Sequence, residues 1–225
     1  DISPYDSGSY ASSTAYLTGT AVVKTCEALK EKILHKAAKY LETGAEELEF
    51  DGKRVYKLAC EADGTRKEIT IKDLANRVQC ANEDALQVTQ SHSSPISPPP
   101  FMAGAAEVEV DLETGQVELI KFAAAVDCGT PLNENLARVQ TEGGLVQGIG
   151  MALYEDVSYS KDGKVHENSF MQYKVPSRLD VGRVQVEFES SFEPTGPFGA
   201  KSIGEVVINT PSPAIANAVY NAVGV

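Results

Sequence analysis

AEVEVDLETGQVELIKFAAAVD, Ala106 to Asp127, is the stretch whose reading decides the fold. Val108, Val110, Val117 and Leu119 recur at every second position on either side of Glu113-Thr114-Gly115, which reads as two strands joined by a turn. A helix from about Asn135 to Tyr154 follows. Further on, a hairpin is expected around Lys161-Asp162-Gly163, a strand over Val184 to Ser190, and a terminal helix over Pro213 to Val223, with prolines where a missing N–H costs least.

Upstream, Val22, Cys26, Leu29, Ile33, Ala37 and Leu41 fall three or four residues apart, an amphipathic helix over Ala21 to Leu41 that Gly44 closes. LEFDGKRVYKLAC alternates around the turn dipeptide Asp51-Gly52, KEITI adds a strand, and a short helix is expected around Asp73 to Val78. Four prolines in Ser91 to Gly104 forbid regular structure and mark a linker or surface-crossing loop. The expected class is α+β, two lobes of mixed sheets with packed helices, one over residues 1–95 and one over 96–225.

The chain has 225 residues, 42% of them apolar, enough to bury a core. A formal charge of −12 argues against a nucleic-acid groove, which needs clustered Lys and Arg. No apolar run approaches the roughly 20 residues of a membrane helix, and DISPYDSGSY lacks a signal peptide's basic and apolar regions, so a cytoplasmic protein is expected. Cys26, Cys60, Cys80 and Cys128 are scattered without a CxxC, and His35, His92 and His166 sit beside none of them. Protein-ligated zinc and iron–sulfur clusters are not expected, and the thiols read as buried and free. GxSxG, HExxH, the phosphate-loop motif and GxGxxG are all missing from the sequence.

Three places remain. VQGIG, Val146 to Gly150, puts glycines inside a helix, where each costs up to about 1 kcal/mol against Ala. Gly143, Gly144 and Gly148 serve either close helix packing or the approach of a bulky cofactor, with Gln147 offering an amide. ASST, Ala11 to Thr14, is either a capping segment or a loop offering hydroxyls and N–H groups to an anion. In GPFGAKSIGEVVINTPSPAIANAV, Gly196 to Val219, Glu205 stands between small residues and an apolar run, where a held carboxylate can serve as a general base.

Together these motifs resemble the molybdopterin-binding subunit of the xanthine dehydrogenase and aldehyde oxidase family. The resemblance runs through DSGSYASSTAYLTGTAV, AEVEVDLETGQVELIKFAAAVD, VDCGTPLNENLARVQTEGGLVQGIGMALYED and the Glu205 segment, essentially the whole chain. It implies a molybdenum hydroxylase that oxidises a purine or related N-heterocycle with oxygen from water, an aldehyde being the alternative substrate. It makes Glu205, behind Lys201 in KxxGE, the catalytic base, and Ala11, Ser12, Ser13, Thr14, Gln147 and Gly204 the cofactor contacts; no side chain is assigned as a metal ligand.

The cofactor implied is molybdopterin, the molybdenum cofactor, its cytosine dinucleotide form left open, with iron–sulfur clusters and FAD on other domains or subunits. The implied partners are those subunits, the remaining part of the molybdopterin subunit and a small-molecule substrate, with neither nucleic acid nor membrane. Ser202, Glu134 and Val139 depart from residues common in the family, none of them at a position given a chemical role. Further cofactor contacts of the family have no counterpart here, so a fragment or split subunit, inactive alone, is expected. The competing expectation is a catalytically idle assembly module.

Overall fold

The computed structural model describes residues 5–6, 8–189 and 191–224; Ser190, at the end of one expected strand, and the first four residues of the opening lie outside them. The chain divides into two compact units, Asp1–Asp6 with Thr18–Ser93, and Ser7–Leu17 with Ser94–Val225. The architecture is α+β.

In the unit built on Thr18–Ser93, α1 (Gly19–Leu41) precedes three short strands, β1 (Leu48–Phe50), β2 (Arg54–Lys57) and β3 (Glu68–Thr70), and then α2 (Ile71–Cys80). The strands form an antiparallel sheet in the order β1-β2-β3, with Phe50 opposite Val55 and Val55 opposite Ile69. Gly52, at φ 90°, takes the turn between β1 and β2, and Asp51 Oδ1 accepts the N–H groups of Lys53 and Arg54. Ile33, Ala37, Leu41, Leu48, Val55, Ile69, Leu74 and Val78 form the core. The apolar stripe of α1 is therefore buried only in its second half, and Val22 and Cys26 are exposed. The helix ends on Glu42, left-handed at φ 54°, whose N–H bonds the Ala38 carbonyl, while Gly44 is extended. Cys60 and Cys80 are exposed as well, so of the four thiols Cys128 packs inside. Thr70 caps α2 by accepting the Asp73 N–H and donating its hydroxyl to Asp73 Oδ2.

Beyond α2, Glu83 accepts hydrogen bonds from Lys36 Nζ at 2.7 Å, from Lys39 Nζ and from Tyr40 OH. The bonds from Lys36 and Lys39 hold its carboxyl down at about 2, from an ordinary 4.5.

The other unit carries the fold-deciding hairpin, β4 (Phe101–Val110) with β5 (Val117–Asp127), antiparallel from Phe101 opposite Asp127 to Val110 opposite Val117, with a bulge at Glu107/Val108. β4 thus starts inside the stretch read as a linker, because the prolines stop at Pro100 and every residue after it has an N–H to pair. Next come α3 (Glu134–Leu153) and β6 (Arg183–Phe188), which lies parallel to β5 with Lys121 opposite Arg183. A parallel neighbour requires a crossover, and α3 provides it. The hairpin expected around Lys161 is reduced to a bridge of Tyr159 with Val165. The last helix, α4 (Pro211–Val223), starts at Pro211 rather than at Pro213, with a proline in its first turn all the same. Phe122, Leu119, Val126, Val186, Leu145, Ile149 and Ile215 fill the core.

The α3 glycines serve different ends. A Cβ on Gly144 would lie 2.1 Å from Val207 Cγ2 and one on Gly148 2.7 Å from Pro211 Cγ, whereas one on Gly143 would meet nothing within 4 Å. Gly144→Ala is expected to cost about 1–3 kcal/mol through overpacking, and Gly143→Ala to be neutral or stabilising by up to ~1 kcal/mol through the better helix former; thermal denaturation of the two variants checks the contrast. Because the Glu83 carboxyl is lowered, its stabilisation is present above its ordinary value and is lost as pH falls from 4.5 toward about 2. The urea midpoint of Glu83→Gln should trail that of the parent protein at neutral pH, and the gap should close across that window.

Candidate functional site

The end of β5 is where the site begins. Asp127 accepts the Gly129 N–H at 2.9 Å and the Ser191 hydroxyl at 2.5 Å on Oδ1, and the Lys201 ammonium at 2.6 Å on Oδ2. Lys201 is only 8% exposed and lies 5.2 Å from the Phe101 ring centroid. Burial pushes the Asp127 carboxyl up, but the hydrogen bonds from Lys201, Ser191 and Gly129 outweigh it and leave the group below the ordinary carboxylate value. Burial, with the Asp127 charge, raises the neighbouring Cys128 thiol.

Around this pair two loops run edge to edge. Gly129 bridges Ala200, Lys201 N–H bonds the Cys128 carbonyl at 2.8 Å, and Thr130 N–H bonds the Gly199 carbonyl at 2.8 Å. Gly129 has φ 69°, and a Cβ there would fall 2.3 Å from the Gly199 oxygen, so the approach demands glycine. Just past Lys201 comes Glu205, and then a 3₁₀ turn, Val206–Ile208, that buries Val207 against Gly144. The acid is exposed, on a segment gripped at both ends.

The opening residues reach the same place. Ala11 and Ser12 are both left-handed, at φ 48° and 56°, in a turn closed by Ser13 N–H to the Tyr10 carbonyl at 3.1 Å. Such conformations cost non-glycine residues about 1–2 kcal/mol each and persist where the surroundings impose them. A π-helical turn, Thr14–Thr18, follows and buries Tyr16, whose hydroxyl meets Thr195 Oγ1 at 2.7 Å. The outcome is that Ser12 Oγ donates to Glu205 Oε2 at 2.8 Å, across 193 positions of sequence. A Cβ on Gly204 would lie 3.0 Å from Ser12 Oγ, a tight contact against the hydroxyl that holds Glu205.

These residues border a cavity of about 650 Å³, within the range of small-molecule sites. Ala11, Ser12, Thr14, Gly204 and Glu205 line it, together with Cys128, Leu132, Leu136, Gln140 and Lys201. Of the expected site residues, Ser13 turns its hydroxyl to the Tyr10 carbonyl and lies outside the lining. Gln147 also stands outside it, exposed on α3 two turns beyond Gln140. Gln140, which the sequence reading passed over, lines the cavity and donates Nε2–H to the Gly204 carbonyl at 3.1 Å. The available signal was its seven-residue spacing from Gln147, which puts both on one helix face. Among the described residues no group of three or more His, Cys, Asp or Glu could hold a metal ion, and no helix is long and apolar enough to cross a membrane.

Residues 1–182 match the molybdopterin cofactor-binding domain family. A probable hypoxanthine oxidase of Escherichia coli K12 is 33% identical over 223 residues, 98% of this chain and 23% of that protein. The carbon monoxide dehydrogenase large chain of Afipia carboxidovorans is 29% identical over 227 residues, 99% of this chain and 27% of that protein. The crystal structure of Cu,Mo-CO dehydrogenase superposes with a TM-score of 0.83 at 27% identity, covering 99% of this chain and 28% of that one. Quinoline 2-oxidoreductase from Pseudomonas putida 86 superposes with a TM-score of 0.78 at 24% identity, covering 99% of this chain and 29% of that one, a likeness of fold alone. The chain thus spans about a quarter of the length of the curated relatives it matches. With the Ser12–Glu205 cavity set in this fold, the chain belongs to the molybdopterin cofactor-binding family of the xanthine dehydrogenase and aldehyde oxidase type.

Proposed function

We propose that this chain supplies the catalytic base and part of the cofactor cradle of a cytoplasmic molybdenum hydroxylase that oxidises a purine or related N-heterocycle with oxygen from water. The observation that carries the reading is the Ser12–Glu205 hydrogen bond at the edge of a cavity large enough for a small-molecule group. The likeness to a probable hypoxanthine oxidase supports a purine-type substrate.

The residues present fit a molybdopterin group. The cavity joins apolar walls, Leu132 and Leu136, to a few polar groups, the Ser12 and Thr14 hydroxyls and the Gln140 amide. Beside it, α3 is open at Gly143, where even a Cβ would touch nothing. Ala11, Ser12, Thr14 and Gly204 would hold the group, with Ser13 stiffening the turn, and Gln147 would offer its amide from the open helix face. Molybdenum in its pterin supplies the oxygen-transfer and two-electron chemistry that no side chain provides.

What the chain itself does is manage a proton. Ser12 occupies Oε2 of Glu205, which orients the carboxylate and leaves Oε1 to accept a proton as water-derived oxygen is committed to the ring carbon. Leu132 and Leu136 give the cavity beside that carboxylate an apolar wall against which a planar ring can rest. Iron–sulfur and FAD groups, which would supply the electron-accepting chemistry, are assigned to partner domains or subunits, and the scattered thiols of this chain are given no part in holding them.

Glu205→Gln in the assembled enzyme should lower turnover by about 10²–10⁴-fold, the typical worth of a positioned base, with molybdenum and pterin content unchanged. Near-normal turnover in that variant would reject the base assignment, and stoichiometric loss of cofactor would assign Glu205 to binding instead.

A further inference from the structure

We propose that Gln140 is a positioning residue for the base, acting through the peptide bond that precedes Glu205. The inference rests on the reading of Glu205 as the base, and it gives the Gln140 amide a task beyond lining the cavity.

Glu205 follows a glycine, and glycine leaves the chain free to rotate into conformations other residues avoid. The segment is buried and bonded at Lys201 and buried again at Val207, but the backbone between them must still settle on one direction for the Glu205 side chain. Gln140 supplies that constraint. Its Nε2–H meets the Gly204 carbonyl at 3.1 Å. The Gly204 carbonyl and the Glu205 N–H and Cα belong to one planar unit, so fixing the oxygen fixes the point from which the carboxylate departs. Ser12 then holds the far end of the same side chain at Oε2. The base is therefore located by two hydrogen bonds, one from α3 at its root and one from the left-handed turn at its tip.

The placement of Gln140 suits this task. It lies on α3, whose neighbouring turn is locked by Gly144 against Val207, itself two residues beyond Glu205. The helix that carries the amide is thus packed against the very segment the amide grips. Gln140 is exposed on its helix and lines the cavity, so replacing it leaves the core intact.

The test compares Gln140→Met and Gln140→Glu in the assembled enzyme, with Glu205→Gln as the reference. Met and Glu are both good helix formers of similar length, so folding is retained, and a thermal melt verifies this. Losing a donor that only orients the base should lower kcat by about 10-fold, with KM and molybdenum content within twofold of the parent. The pH profile separates donation from bulk. In Gln140→Glu the introduced carboxylate cannot donate while ionised, but its protonated form can. The deficit of Gln140→Glu relative to the parent should therefore shrink toward acidic pH, while that of Gln140→Met stays constant. A crystal structure of the Gln140→Met enzyme should show the Gly204 carbonyl turned from its parent position. Unchanged kcat in Gln140→Met beside an inactive Glu205→Gln would overturn this inference alone. A parallel loss of cofactor would overturn it by making Gln140 a cofactor ligand, and turnover surviving in Glu205→Gln would remove the base assignment and the inference together.

Discussion

The site depends on one ion pair, a buried ammonium held by a half-buried carboxylate. A lysine ammonium almost never goes into a protein interior without a partner, and Lys201 does so only because Asp127, at the last position of β5, receives it at 2.6 Å. Removing the carboxylate would leave a buried ammonium without its partner, the costly way to break such a pair. Because Asp127 also accepts Ser191 Oγ and the Gly129 N–H, one carboxylate sets the spacing of three chain segments at the end of the sheet. Glu205 inherits its place from that junction, four residues beyond Lys201. The lysine of the KxxGE motif thus has a structural task here: it carries the sheet's rigidity to the acid.

On that junction the remaining pieces act in series. The β5–α3–β6 crossover places α3 beside the Glu205 segment, and glycines at 144 and 148 let Val207 and Pro211 close in. The opening turn brings Ser12 to the carboxylate at the expense of two left-handed residues. Strain of this kind persists where function needs a group in one place, and here the group so placed is the hydroxyl bonded to the proposed base.

Much of this was legible in the chain itself. The hairpin of Ala106 to Asp127 follows from period-two alternation and a Gly turn, and α1 follows from apolar residues three or four apart. Glu205, Gly204, Ser12, Ala11 and Thr14 were singled out from local composition and the family resemblance, and the fold brings them to one cavity. Long-range partners were not legible. Nothing local to Gln140 says that its amide reaches Gly204, 64 positions away, and nothing local to Asp127 says that it meets Lys201, 74 positions away. Gly44 was the expected helix stop because glycine takes a left-handed backbone most cheaply, yet Glu42 takes it, its N–H bonding the Ala38 carbonyl. Exposure at Cys26, Cys60 and Cys80 shows the same limit, since a small apolar side chain is buried only where a neighbour arrives to cover it.

If Glu205 is the base, then Ser12, Gln140 and Glu205 share one cavity with the redox centre. Anomalous diffraction at the molybdenum absorption edge, from crystals of the assembled enzyme, locates that centre directly. A single strong peak is predicted in the cavity between the Ala11–Ser12 turn and α3, within contact reach of the Glu205 carboxylate; a peak elsewhere, or none in an enzyme that turns over, would contradict the assignment.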